Sequence, residues 1–340
     1  PAEQTLVLGS SSLLIEHDIA GMFWRCGSCG SDPWEAYEAA HDGKKVKFLC
    51  PVPGYDRHFG ITADLGIENV PVAMTDNGPD MDEIERLVAA DDSIKGIWCV
   101  PKYSNPEGII YSKDTIVRMA SMKPAAPDFT IMWDNAYCIH EFDGDYVEFP
   151  DILHQCKKYG NYDMVYEFAS TSKITFPGDG VACMATSEAN LEDFEKWIGI
   201  QTISYDKVNQ QRHVLYLQNR AHTLKLMKKH AAFMKPKFEA VLSTLDREIA
   251  PLEIASWSHP KGGYFVSFDA MPGTAKRTLA LCKEAGVAMT AAGATFPYGI
   301  DPNDSNIRIA PSFPPVEDVE KAIAVFCTCV KMSALEKLGV

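Results

Sequence analysis

Short apolar runs alternate with longer stretches of helical periodicity along most of the chain. Runs at 46–50, 70–74, 97–100, 130–133, 164–169 and 181–185 are close to continuously apolar rather than alternating. That pattern predicts strands covered on both faces, as in a mostly parallel sheet. Between them, 12–24, 34–41, 81–90, 113–121 and 152–158 carry apolar residues at helical spacing. The resulting β-α-β rhythm predicts an α/β domain. From 206 to about 245 the pattern predicts one long helix, interrupted or kinked at Pro236. Beyond it, Lys261-Gly-Gly-Tyr-Phe reads as a turn entering a strand, 275–285 as a helix, 307–310 as a strand and 316–337 as a terminal helix. This is a second, smaller α+β unit. The expected division is 1–210 for a large domain and 211–340 for an interdomain helix plus a small C-terminal domain. No internal repeat, low-complexity tract or Gly/Ser linker interrupts the chain.

In parallel sheets, ligands sit at the carboxyl ends of the strands. Chemistry is therefore expected in the segments just past each strand. Asp134-Asn-Ala-Tyr137 comes after the run at 130–133. A carboxylate at a buried strand end needs a partner; it either caps a helix or holds a protonated ring nitrogen of a cofactor. Asn105-Pro-Glu-Gly108 comes after the run at 97–100 as a turn. Ser170-Thr-Ser172-Lys173 comes after 164–169. A lysine there is either a solvated loop residue or a nucleophile toward carbonyls, with two hydroxyls beside it for a phosphate. Gly9-Ser10-Ser11-Ser12 opens a helix, as an anion site or as an ordinary cap. Tyr55 ends the turn after 46–50 and either stacks on a flat ring or stands exposed. Arg308 lies in a short apolar strand, where it clamps a carboxylate or makes a structural ion pair.

Composition narrows the class. The chain has 340 residues, 46% hydrophobic and 23% charged, the balance of a globular enzyme. Lys and Arg total 32 against 46 Asp and Glu, a net charge of -14. That argues against a nucleic-acid or anionic-membrane partner, yet leaves room for a local basic pocket. No apolar run is long enough for a membrane-spanning helix. Ten cysteines are too few for a disulfide scaffold of this size, and most lie in apolar runs, which fits a reducing cytoplasm. Cys26-Gly-Ser-Cys29 is the one CxxC, with no second pair at ligand spacing, so no metal site is expected.

Taken in order, Gly9-Ser-Ser-Ser, Pro53-Gly-Tyr55-x-x-His58, Asn105-Pro-x-Gly108, Asp134-x-x-Tyr137, Ser170-x-Ser-Lys173 and Arg308 span almost the whole chain. In this order the sequence resembles the fold type I pyridoxal-phosphate aminotransferases, the aspartate aminotransferase superfamily. The stretches LCPVPGYDRHF, STSKITFPGDGVA and DKVNQQRHV look like its atypical subgroup Ic. The resemblance implies a large domain with a mostly parallel sheet and a smaller α+β C-terminal domain. It implies a transaminase working through a Lys173 aldimine, with Lys173, Asp134 and Tyr137 catalytic. Asp134 would hold the ring nitrogen, Tyr137 and Asn105 the ring's phenolic oxygen, and Tyr55 would stack on the ring. Ser10, Ser11, Ser170 and Ser172 would bind the phosphate. His58 would support Asp134 from behind, and Arg308, with Asn105, would bind the substrate carboxylate.

One departure stands out. Gly180 occupies the place where the family usually carries a phosphate-binding Arg, and Lys207 is a candidate replacement. Arg57 is the candidate cation for a distal carboxylate, which points to aspartate or glutamate as donor and 2-oxoglutarate as acceptor; its alternative is a surface pair with Asp56 or another acid. The same residues would also serve a carbon–sulfur β-lyase or a decarboxylase, and aminotransferase-like domains also act as effector sensors in transcription regulators. The resemblance further implies a homodimer, with the segment around Tyr205–Gln210 near the partner's site. Because the Gly9 loop lies so early in the chain, the resemblance implies an N-terminal segment ahead of it.

Overall fold

The computed structural model describes residues 2–28, 30–143 and 146–340. Cys29, and with it the CxxC reading, lies outside the described residues. The chain opens with β1 (Thr5–Val7) and α1 (Ser12–Cys26). Ser11 caps α1 by accepting from the Leu14 backbone N–H at 3.4 Å. Then come α2 (Trp34–Ala40), β2 (Lys47–Val52), α3 (Asp56–Asp64), β3 (Glu68–Thr75), β4 (Gly78–Pro79), α4 (Met81–Ala90) and β5 (Ile94–Cys99). They are followed by α5 (Lys113–Ser121), β6 (Thr130–Asp134), α6 (Ile152–Lys158), β7 (Val165–Ser170), β8 (Ala182–Ala185) and α7 (Glu188–Gln201).

These strands form an eight-stranded sheet in the order β1-β8-β7-β6-β5-β2-β3-β4. The central strands β7, β6, β5, β2 and β3 run parallel, and antiparallel neighbours close both edges. The apolar runs of β2, β5, β6 and β7 are continuous because both faces are covered; β3, next to the edge, instead alternates in burial, with Pro71 and Ala73 exposed. On one face Trp98, Met132 and Phe168 pack against Ile15, Ile19 and Phe23 of α1. On the other, Ile97, Ile131 and Val165 pack against Ile84, Ile116 and Ile152 of the crossover helices. The chain leaves β2 toward β3 on one side and returns to β5 on the other. That reversal opens a crevice at the carboxyl ends of β2 and β5, the usual ligand position in such sheets.

The remaining elements are α8 (Lys207–Leu217), α9 (Arg220–Glu248), β9 (Ala255–Trp257), β10 (Val266–Ala270), α10 (Ala275–Glu284), β11 (Asn306–Ile309) and α11 (Val316–Leu338). β11-β10-β9 form an antiparallel sheet. Its core joins Val266, Phe268 and Ile307 to Phe238 of α9 and Phe326 of α11. The single helix expected over 206–245 is instead two. The chain turns at Gln218, at φ 57°, and Asn219 caps α9 by accepting from the His222 N–H at 3.0 Å. Pro236 lies inside α9 without ending it.

Candidate active site

The crevice collects the side chains just past β2, β5, β6 and β7. Asp134, the last residue of β6, is 3% exposed. Its Oδ2 lies 3.4 Å from His58 Nε2 on α3. Its Oδ1 is buried with no hydrogen-bond partner among the described residues. A lone buried acceptor of this kind is costly unless a donor fills it, and a protonated ring nitrogen would supply that donor. His58 stacks on Trp98 with centroids 4.5 Å apart and rings inclined by 11°. Tyr55 meets His58 edge-on at 4.9 Å.

On its other flank, His58 Nε2 is 3.2 Å from Glu16 Oε2 of α1. Both carboxylate contacts are at ion-pair distance, with angles short of a formal hydrogen bond. Burial alone would lower the His58 pKa, but Glu16 and Asp134 outweigh it and raise it to about 9. Burial and the neighbouring Asp134 push Glu16 up to about 7, against the pull of His58. Burial also pushes Tyr55 up to about 12, and pushes the buried Tyr137 upward, so both hydroxyls stay neutral and able to donate.

Lys173 Nζ lies over the Tyr137 ring, 4.7 Å from its centroid. The Lys173 carbonyl accepts from Tyr264 Oη at 3.1 Å and contacts His140 Nε2 at 3.2 Å. Burial lowers His140 to about 3, so its ring is neutral and Nε2–H is the donor. Two side chains from loops distant in sequence thus pin the backbone of the half-buried Lys173.

Arg308 on β11 reaches into the same crevice. Its Nη1 donates to Asn105 Oδ1 at 3.2 Å and to Asp56 Oδ1 at 3.1 Å. Its guanidinium stands 5.1 Å from the Phe265 ring centroid. Arg57 is exposed on the first turn of α3. Asp56, its candidate surface partner, is engaged with Arg308.

The serines converge at the start of α1. Ser170 Oγ donates to Ser172 Oγ at 3.1 Å, and Ser172 Oγ to the Ser10 carbonyl at 3.2 Å. Ser11 is committed to capping α1. A Cβ on Gly180 would stand 2.6 Å from the Ser10 carbonyl oxygen and 3.1 Å from Ser172 Oγ. No side chain fits there on this backbone, which accounts for the missing Arg. Asn209 Nδ2 instead donates to the Gly180 carbonyl at 3.1 Å, and Lys207 Nζ donates to Gln210 Oε1 at 3.2 Å. The segment around Tyr205–Gln210 therefore lies beside this chain's own serine cluster, and a Cβ on Gly9 would touch Tyr205 at 3.5 Å.

Three side chains at this site escape a strand-end search: Glu16, His140 and Tyr264; Asp56 lies in a strand-end segment, but its partner is Arg308 rather than Arg57. Glu16 had a readable signal, a carboxylate on the apolar stripe of α1 that includes Ile15, Ile19 and Phe23. His140 and Tyr264 act through a carbonyl distant in sequence, and no local pattern reports that.

Comparison with known proteins agrees with this geometry. The model of the family described as aspartate amino-transferase matches residues 1–340. A Mycolicibacterium smegmatis protein bearing an aminotransferase name is 48% identical over 339 residues, covering 99% of this chain and 78% of its own length. The aspartate aminotransferase of Corynebacterium glutamicum is 43% identical over 337 residues, covering 99% and 76%. The crystal structure of an aspartate transaminase from that organism matches with a TM-score of 0.95 at 42% identity, covering 99% of this chain and 78% of that one. Pyridoxal phosphate is the cofactor that such a family implies, and the orphaned Asp134 Oδ1, the poised Lys173 and the serine cluster fit it. The chain belongs to the aspartate aminotransferase family and is an aminotransferase.

Proposed function

We propose that this chain moves an amino group between aspartate or glutamate and 2-oxoglutarate, with pyridoxal phosphate held in the crevice. The observation that carries the reading is the convergence of Asp134, Lys173 and Arg308, from three separate elements, on one cleft. When bound, the cofactor supplies an electron sink for the carbanion formed at the substrate's α-carbon. The chain's own residues do the rest. Asp134 Oδ1 would accept from the ring nitrogen and keep it protonated. Tyr55 would pack against the ring. Tyr137 and Asn105 donate toward its phenolic oxygen, and Ser10, Ser170 and Ser172 supply polar groups to the phosphate, with Ser11 reached only if it leaves its cap. Lys173 Nζ would hold the cofactor and would serve as the acid/base that moves a proton between the substrate's α-carbon and the cofactor. Arg308 binds the α-carboxylate.

Arg57 is proposed as the cation for the distal carboxylate; its exposure at the rim of α3 and its lack of an ion pair among the described residues support that role. The name of the C. glutamicum relative supports the same donor class. The test is a panel of amino donors with 2-oxoglutarate, run on wild type and Arg57→Ala. KM for aspartate is expected to rise at least about tenfold in the variant, the cost of one charge-assisted contact, with little change for alanine. Equal effects on both donors remove Arg57 from the pocket. Release of pyruvate and ammonia without a 2-oxo acid would make the enzyme a lyase instead.

The proposed division into 1–210 and 211–340 falls inside α8, and the break at Gln218–Asn219 supports moving it there. We also propose a cytoplasmic homodimer. Nine described cysteines are free, which suits a reducing compartment. Among the described residues no helix is long and apolar enough to cross a membrane.

A further inference from the structure

We propose that Glu16 is a positioning residue for the reaction: it completes a buried Glu16–His58–Asp134 relay in which its negative charge keeps a proton on His58 and Asp134 ionised toward the ring nitrogen. The proposal rests on the reading of Asp134 as the ring partner.

Glu16 is 0% exposed on the mostly apolar buried face of α1, beside Ile15, Ile19, Ala20 and Phe23. A carboxylate there costs several kcal/mol unless it is paired, and His58 is the cation within ion-pair reach. His58 cannot turn away, because Trp98 stacks on its face and Tyr55 abuts its edge. Its single Nε2 therefore stays between two carboxylates, at 3.2 Å and 3.4 Å.

With His58 protonated, the trio carries two negative charges and one positive. A protonated ring nitrogen at Asp134 brings the buried total to zero. Without Glu16, two cations would face the one carboxylate of Asp134, and one of the two protons would be lost more easily. Glu16 thus lets His58 and the ring nitrogen be protonated together. The other ionisable groups facing the trio are Lys173, which favours the ionised form of Glu16, Tyr55 and Tyr137, whose hydroxyls stay neutral, and Tyr166 of β7, which packs toward α1. The raised proton affinity of His58 agrees with a proton held on its ring by the two carboxylates.

The experiment is an imidazole ¹⁵N NMR titration of His58 in the full chain, without and with pyridoxal phosphate, for wild type, Glu16→Gln and Glu16→Asp. In wild type the His58 midpoint is expected well above the ordinary value of about 6.5. Glu16→Gln is expected to lower it by at least about one pH unit, and Glu16→Asp to restore part of the loss. In the loaded protein, Glu16→Gln is expected to shift the pH at which the cofactor's visible band changes, which a packing role alone would leave in place. A wild-type His58 midpoint below about 7, or the same midpoint in a folded Glu16→Gln, overturns the proposal. So does one equivalent of bound metal in the purified chain, because the three ligand atoms also lie within 4.8 Å of one another. If the His58 shift is present without cofactor but Asp134→Asn leaves the loaded spectrum unchanged, the reading of Asp134 fails and the relay between Glu16 and His58 stands.

Discussion

Glu16 and His58 both bind protons more tightly in the folded chain than when unfolded, rising from 4.5 to about 7 and from 6.5 to about 9. A raised pKa contributes stability that is complete below the unfolded value and is lost as pH rises through the folded one. Both groups therefore make the fold weaker toward alkaline pH. Glu107 and Glu167, raised by burial to about 8 and about 7, act in the same sense. His140, lowered to about 3 by burial, acts oppositely, but only where the unfolded chain takes up its proton, below about pH 6.5. The window free of that opposition runs from about pH 7 to 9.5. Calorimetric unfolding midpoints are expected to fall across it, and to fall less steeply in Glu16→Gln. A wild-type profile that stays level there would contradict the assignment.

At the scale of elements, the loop between β7 and β8 carries the most specific constraint. Gly180 cannot accept a Cβ without moving the Ser10 carbonyl or Ser172. Gly180→Ala is expected to cost about 1–3 kcal/mol, as overpacking does, and to weaken retention of pyridoxal phosphate, both measurable by denaturant titration with and without cofactor. Unchanged stability would mean that the loop is free to relax. The parallel strands were legible in the sequence to within a few residues, because burial on both faces leaves an unbroken apolar run. Asp134, Lys173 and Arg308 were legible because each ends, trails or interrupts such a run. The short edge strands β1, β4 and β9 were not, since two or three residues carry no periodicity. The break between α8 and α9 rests on one positive φ at Gln218, and a Gln there gives no turn signal. The pairing of Arg308 with Asp56 joins positions 252 apart in sequence, beyond any local pattern.

At the scale of the molecule, α8 has no buried residue, although Val208, Val214 and Leu215 lie on it. Ile203, just before it, is fully exposed. A helix with no core of its own is stable only against something else. This supports the proposed homodimer, for which we propose the 200–216 segment as the contact. Ile203→Asp is expected to shift the chain toward monomer in analytical ultracentrifugation with its circular dichroism unchanged; a wild-type monomer at micromolar concentration would exclude the dimer.

Arg308 projects from the three-stranded sheet, while Asp56 and Asn105, which hold it, lie in the segments that follow β2 and β5 of the eight-stranded one. The group proposed to take the substrate's carboxylate is thus also a clasp between the regions built on the two sheets. A carboxylate arriving at that guanidinium meets Asp56 on the same Nη1, so taking up a substrate and keeping the clasp draw on one and the same nitrogen.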